Sequence, residues 1–235
     1  MESENEKMSR RSVIKTTAAV AAVGGAMSLA GCNETSRKSS GKGGSINFPN
    51  EYFYDAKGEF VEDKGKDAYI AMMKYHGYPV YDDIREKLWV SDYGTKQFAK
   101  LGLGANMFSN NEDERYMLMD LFLLPNQMLP EHYHLSTDKN PSKMEGWLCR
   151  HGLSYVYGEG TPTKPMKAVV PKCHMNGTVT VSSEVVLKPG MFTPLTKVNS
   201  PHWQFAGPEG AILTEVATVH DNDGVRHSDT HLKFP

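Results

Sequence analysis

From Tyr116 to Val219 the chain is written in short apolar runs cut by Gly and Pro, and this texture constrains the fold more than any other feature. The runs are Tyr116–Leu124, Gly146–Leu148, Leu153–Tyr157, Thr178–Leu187 and Ala211–Val219. Pro125-Asn126, Lys188-Pro189-Gly190 and Gly207-Pro208-Glu209-Gly210 read as turns between them. Thr178-Val179-Thr180-Val181-Ser182 alternates as a half-buried strand should. Short strands separated by turn signals, with no βαβ alternation, predict a mainly β sandwich or barrel. Helix is confined to the front of the domain. Asp63–His76 carries Ala68, Ala71, Met72 and Tyr75 at helical spacing, with Gly77 as a stop and Pro79 beyond. A second, weaker helix is expected over Gly94–Lys100. Gly102-Leu103-Gly104 lacks the third glycine of a dinucleotide site.

The first residues read as an address rather than as part of the fold. Arg10 and Arg11 stand together ahead of an Ala/Val/Gly-rich stretch from Thr16 to Gly31 that holds no acid or base. A charged start, an apolar middle and a small-residue end make an export signal. The arginine pair resembles a twin-arginine signal, and Leu29-Ala30-Gly31-Cys32 resembles a bacterial lipobox. That resemblance implies acylation of Cys32, a membrane anchor and a periplasmic location. Residues 33–46, rich in Ser, Gly and Lys, are expected to be a flexible linker, and 47–235 the globular domain. With 26 basic and 28 acidic residues the chain lacks the basic excess of a nucleic-acid binder. Beyond Cys32 only Cys149 and Cys173 remain; they could pair in an oxidising compartment, and the expectation is that they are free and at least partly buried.

Chemistry concentrates in Pro130-Glu131-His132-Tyr133-His134, Lys143-Met144-Glu145-Gly146-Trp147 and Ser200-Pro201-His202-Trp203. Alternate residues of a strand share a face, so His132 and His134 point the same way. With Glu145 and His202 they form a mixed N/O set that suits Mn²⁺, Fe²⁺, Co²⁺, Ni²⁺ or Zn²⁺.

This pattern resembles the cupin superfamily, in which a His-x-His pair and a downstream Glu form one motif and a later His the second. The resemblance implies a double-stranded β-barrel (jelly roll) with the metal inside. One departure is the spacing: Glu145 lies eleven residues after His134, beyond the usual cupin gap, so Leu135–Ser142 with Asn140-Pro141 must form a longer loop. The Leu88-Trp89-Val90-Ser91-Asp92 segment, the Pro-Glu-His-x-His block, Lys143-Met144-Glu145-x-Trp147, and His202-Trp203 with Ala206–Ala211 look like the D-lyxose isomerase family. That implies a metal-dependent aldose–ketose isomerase, often manganese-dependent, acting on a monosaccharide such as D-lyxose/D-xylulose or D-mannose/D-fructose. It also implies His132, His134, Glu145 and His202 as ligands. Homodimers are common among cupins, which makes a homodimer a further expectation.

Isomerisation needs a group that carries a proton between C1 and C2. Glu215, in step with Leu213 and Ala217, and Lys143, two residues before Glu145, are the candidates, and a hydride shift would need less of either. Trp147, Trp203 and Arg226 are candidate substrate contacts. His151 and His174 are expected at the surface, and Asp221-Asn222-Asp223-Gly224 as a turn. Two other readings use the same parts: a cupin lipoprotein that binds a sugar or sugar acid without turnover, and a cupin-type metal-dependent dioxygenase.

Overall fold

The computed structural model describes residues 45–233. The expected signal of residues 1–32, Cys32 within it, and residues 33–44 of the expected linker lie outside the described residues. Ile46, which the linker was expected to include, is buried in a cluster with Phe53, Phe98 and Leu124. The packed chain therefore begins by that residue.

Helix α1 spans Glu62–His76. Glu62 and Asp63 sit in its first turn and Lys74 and His76 in its last, matching the helix dipole at both ends. Gly77 at φ 69° ends it, and the Tyr78 N–H returns to the Met73 carbonyl. Its buried face is Ala68, Tyr69, Met72 and Met73, whereas Tyr75 is exposed, so the stripe lies about one residue round from the expected one. No helix forms over Gly94–Lys100. Tyr93, Gly94 and Lys96 all have positive φ, and the Asp92 carboxylate accepts from the N–H groups of Gly94 and Lys96. Asp92 thus ties the segment into a turn. The second helix, α2, is instead the single turn Ile84–Lys87.

Among the described residues nine strands form one curled antiparallel sheet: β1 (Trp89–Ser91), β2 (Leu103–Asn111), β3 (Tyr116–Leu123), β4 (Met128–His134), β5 (Glu145–Gly158), β6 (Ser183–Leu187), β7 (Phe192–Pro194), β8 (His202–Ala217) and β9 (Val225–His227). The mainly β expectation holds. The sheet closes through β8. Its first half pairs with β4, its second half with β3, and β5 runs beside it from Glu145↔Ala217 to Tyr157↔Trp203. Gly146–Leu148 and Leu153–Tyr157, read as separate runs, are parts of the single strand β5.

Two further expectations fail for identifiable reasons. Gly207–Gly210 is not a turn between strands but lies inside β8. Ser154 pairs with Ala206 and Gly152 with Ala211, so the extra β8 residues bulge opposite Leu153 and bend the strand pair. Thr178–Ser182 makes no ladder, and only Ser183–Leu187 does. The Glu131 carboxylate instead accepts from the Thr180 and Val181 N–H groups and the Thr180 hydroxyl. A buried side chain replaces a partner strand there.

The barrel interior holds Leu103, Met119, Leu121, Trp147, Cys149, Leu187 and Leu213. A second cluster joins α1 to the outer face of β3 and β8 through Phe122 and Ile212, and a third packs Tyr157, Trp203 and Phe205 beneath the 166–181 segment. At about 2 kcal/mol for each large side chain buried, these three clusters are the main source of the fold's stability. Cys149 and Cys173 are free.

Candidate metal centre and its cavity

β4 places His132 and His134 on one side of the strand, as the period of two requires. His132 pairs across the ladder with His202, the first residue of β8, and Glu145 opens β5. The ends of three strands therefore bring together residues up to seventy positions apart. One ligand atom from each of His132, His134, Glu145 and His202 lies within 4.8 Å of all the others. The long Leu135–Met144 connection is accommodated by the Thr137 hydroxyl and the Asn140 amide, which both donate to Asp221 Oδ2.

The hydrogen bonds around the cluster leave the ligand atoms unclaimed. His132 Nδ1–H donates to the Pro130 carbonyl and His202 Nδ1–H to the Ser200 carbonyl, both at 2.9 Å. Each bond selects the tautomer whose Nε2 carries a lone pair into the cluster. His134 Nε2, His202 Nε2 and Glu145 Oε1 are buried without a hydrogen-bond partner. Glu145 Oε1 stands 3.1 Å from His134 Nε2 and 3.0 Å from His202 Nε2. Buried acceptors that face one another without donors cost free energy unless a cation or proton lies between them. Three imidazoles and one carboxylate fit a borderline divalent ion. Burial, then the charges of the neighbouring imidazoles, hold His132 well below its usual range, and burial lowers His134. Burial alone would raise Glu145, but Lys143, His134 and His202 outweigh it and keep the carboxyl well below its ordinary value.

Beside the cluster lies a buried hydrogen-bonded group, Lys143, Glu215 and Trp147, called the relay for the role proposed for it. Lys143 Nζ stands 2.8 Å from Glu145 Oε2 and makes a very short contact with Glu215 Oε1. Trp147 Nε1–H donates to Glu215 Oε2 at 3.1 Å. Burial would lower Lys143, but the two carboxylates more than offset it and hold the ammonium above its usual value. Glu215 is pushed up to about 7 by burial, against the pull of Lys143 and with the push of Glu145. It is therefore a carboxyl group able to change protonation near neutrality.

His132, His134, Glu145, Lys143 and Glu215 line a cavity of about 530 Å³. Trp89, Leu103, Met119 and Leu121 line one wall, and Asn110 and His220 the polar side. The candidate substrate contacts fall elsewhere. Trp147 is fully buried, with its ring 5.2 Å from that of His202 and its N–H on Glu215, so it supports the relay from behind. Trp203 stacks on Tyr157 at 3.9 Å and donates to the Val181 carbonyl, on the opposite face of β8 from His202. Arg226 is exposed and donates to the Asp223 and Val225 carbonyls, while its β9 neighbours Val225 and His227 line the cavity. His174, expected at the surface, is fully buried and receives the Glu131 N–H. His220 and His227 were missed as cavity residues. Strand alternation in Val225-Arg226-His227 is the signal that separates His227 from Arg226. His220 sits past the end of β8, and its backbone N–H and carbonyl are clamped by the Asn110 side chain.

A curled antiparallel sheet of nine strands closed through β8 has the architecture of a cupin-like double-stranded β-barrel, and the three histidines and the glutamate lie at the ends of β4, β5 and β8. No family model matches the chain. It is 33% identical over 175 residues to the D-lyxose ketol-isomerase of Thermofilum sp., covering 74% of this chain and 94% of that protein. It is also 33% identical over 149 residues to the D-lyxose/D-mannose isomerase of Thermosediminibacter oceani, covering 63% of this chain and 80% of that one. Among solved structures, Cellulomonas parahominis L-ribose isomerase with L-psicose superimposes with a TM-score of 0.51 at 11% identity, over 77% of this chain and 98% of that chain, a likeness of fold. The chain belongs to the D-lyxose ketol-isomerase family of sugar isomerases.

Proposed function

We propose that this protein is a metal-dependent aldose–ketose isomerase that interconverts a monosaccharide pair such as D-lyxose and D-xylulose or D-mannose and D-fructose. The observation that carries this reading is the convergence of four ligand atoms within 4.8 Å beside the Lys143–Glu215 pair, with His134, Glu145 and His202 each offering a buried atom that has no hydrogen-bond partner. His132, His134, Glu145 and His202 would hold the ion; this mixed set suits Mn²⁺, Fe²⁺, Co²⁺, Ni²⁺ or Zn²⁺, and the resemblance to the D-lyxose isomerase family makes Mn²⁺ the first choice. When bound, a divalent ion supplies Lewis-acid polarisation of a carbonyl and of the adjacent hydroxyl.

The chain's own groups do the rest. A Glu215 carboxylate oxygen lifts the proton from sugar C2 and returns it to C1. Trp147 and Lys143 hold that carboxylate from two sides, so it does not swing away between the two transfers. Lys143 Nζ also offers a donor to charge developing on O1 or O2. Burial of the relay keeps bulk water from exchanging with the transferred proton.

We further propose that the protein is exported and anchored by a lipid on Cys32. The support is the sequence order of Arg10-Arg11, an uncharged stretch and Leu-Ala-Gly-Cys. Comparing the membrane fraction for the full chain and Cys32→Ala tests the anchor, and equal partitioning would overturn it.

The test of activity uses the full chain, stripped by a chelator and reloaded with Mn²⁺, incubated with lyxose, mannose, xylulose and fructose. Metal-dependent appearance of the partner sugar supports the reading. No conversion of any of the four, with one metal bound per chain, overturns it.

A further inference from the structure

One residue of the cavity wall carries a polar atom that packing does not account for. Tyr93 follows β1, lines the cavity and packs with Leu101, Leu103 and Leu129 of the barrel interior, only 2% exposed. Its φ of 53° lies in the left-handed region, which a bulky side chain rarely adopts. The turn holds it there: its N–H donates to Ser91 Oγ, and its carbonyl accepts from the Lys233 N–H. Its hydroxyl meets no hydrogen-bond partner among the described residues. The Tyr93 ring stands 5.3 Å from that of His227, and the His227 ring 6.0 Å from that of His132. The ladder between β4 and β9 pairs His132 with His227. The three rings therefore form a row that leads away from the cluster along one side of the cavity.

We propose that the Tyr93 hydroxyl binds the substrate, as the donor that reads a sugar hydroxyl at C4, C5 or C6, remote from the reacting carbons. This rests on the isomerase reading, which sets O1 and O2 at the cluster. With those two oxygens held at the His132 end of the row, the rest of a pentose or hexose extends toward Tyr93. Packing does not explain the hydroxyl. A phenylalanine ring would fill the same space, and a buried hydroxyl without a partner costs free energy. Burial holds the phenol above its usual range, so it stays protonated and able to donate. Leu103, Met119 and Leu121, which share its cluster and line the cavity, offer no donor. A single O–H in such surroundings separates a sugar that carries the matching hydroxyl from one that lacks it.

Calorimetric titration of the Mn²⁺-loaded full chain and of Tyr93→Phe tests this. The probes are D-lyxose, D-mannose and their forms deoxygenated at one of C4, C5 or C6, read at low temperature before conversion accumulates. The wild type is expected to bind one deoxy form on the order of tenfold to a hundredfold more weakly than its parent. Tyr93→Phe is expected to weaken the parent by the same factor and to bind parent and that deoxy form equally. In turnover the loss is expected in KM, with kcat within about twofold of wild type. Without sugar, Tyr93→Phe is expected to melt no lower than the wild type, since the hydroxyl it removes bonds to nothing in the fold. Unchanged affinity for the parent in Tyr93→Phe overturns the proposal, as does a loss equal for the parent and every deoxy form. A wild type that binds all deoxy forms as tightly as their parents overturns it whether or not the variant folds. If the wild type binds these sugars without converting them, the isomerase reading falls, and the same comparison of Kd values still decides the role of Tyr93. A wild type that binds none of them overturns both.

Discussion

Glu215 and Glu145 are carboxylates separated by one lysine side chain, yet their surroundings drive them in opposite directions. Glu145 faces two imidazoles and Lys143, which keep it ionised. Glu215 faces Lys143 and an indole N–H in a dry site, which burial pushes up to about 7. One is suited to hold a cation and the other to pass a proton. Glu215→Gln keeps both neighbours supplied with a polar atom and removes the proposed proton carrier. Its kcat is expected to fall by about 10²–10⁴ with metal content unchanged, measured by turnover together with elemental analysis. Cys149 gives a contrasting prediction. Burial raises its thiol to about 11, so the thiol stays protonated at physiological pH and is shielded as well. Iodoacetamide labelling of the native protein at pH 8 is expected to spare Cys149, and unfolding in guanidinium to expose it. That His132 and His134 share a face was legible in strand alternation, which is local; that Glu145 and His202 lie beside them was legible only through the resemblance of the motifs. The placement of Trp147 on Glu215 and of Trp203 on the Val181 carbonyl was not legible, because which neighbour an indole N–H meets is settled by another strand.

At the scale of elements, β4 holds the two ends of the site's support. His132 and His134 face the centre, while Glu131, between Pro130 and His132, faces away and anchors Thr180 and Val181. The segment from 178 to 182 has the alternation of a strand without a strand's ladder, because no partner edge is available there and a buried carboxylate provides the acceptors. Glu131→Ala leaves two N–H groups and a hydroxyl without acceptors. It is expected to cost about 2–3 kcal/mol, lowering Tm by about 5–10 °C, and to open the 166–182 segment to proteolysis before the barrel unfolds. Differential scanning calorimetry and limited proteolysis read these two effects. The misjudged turn at Gly207–Gly210 has a similar cause. Gly and Pro mark a bend, and only strand pairing decides whether the bend separates two strands or curls one.

At the scale of the molecule, the centre joins β4, β5 and β8, so filling it ties three strand ends together. An ion that binds only the folded chain adds stability by mass action, about 2.7 kcal/mol at a hundred times its Kd. Chelation is therefore expected to lower Tm by about 5–10 °C and Mn²⁺ to restore it. Identical melting curves with and without chelator would contradict a metal bridging these strands. The same assembly explains why sheet closure and site formation come together, since the ladder that pairs His132 with His202 also seals the barrel.

By itself the sequence determined the mainly β class, the helix at the front and the residue types of the centre, because these follow from periods of two and 3.6 and from motifs a few residues long. It did not determine which chains of side-chain contacts hold those residues. The pairing of Lys143 with Glu215 across seventy-two positions, the outward turn of Arg226 and the packing of α1 on the outer face were decided by tertiary structure alone. Each depends on strand register and curl, which set distances between residues that no local pattern relates.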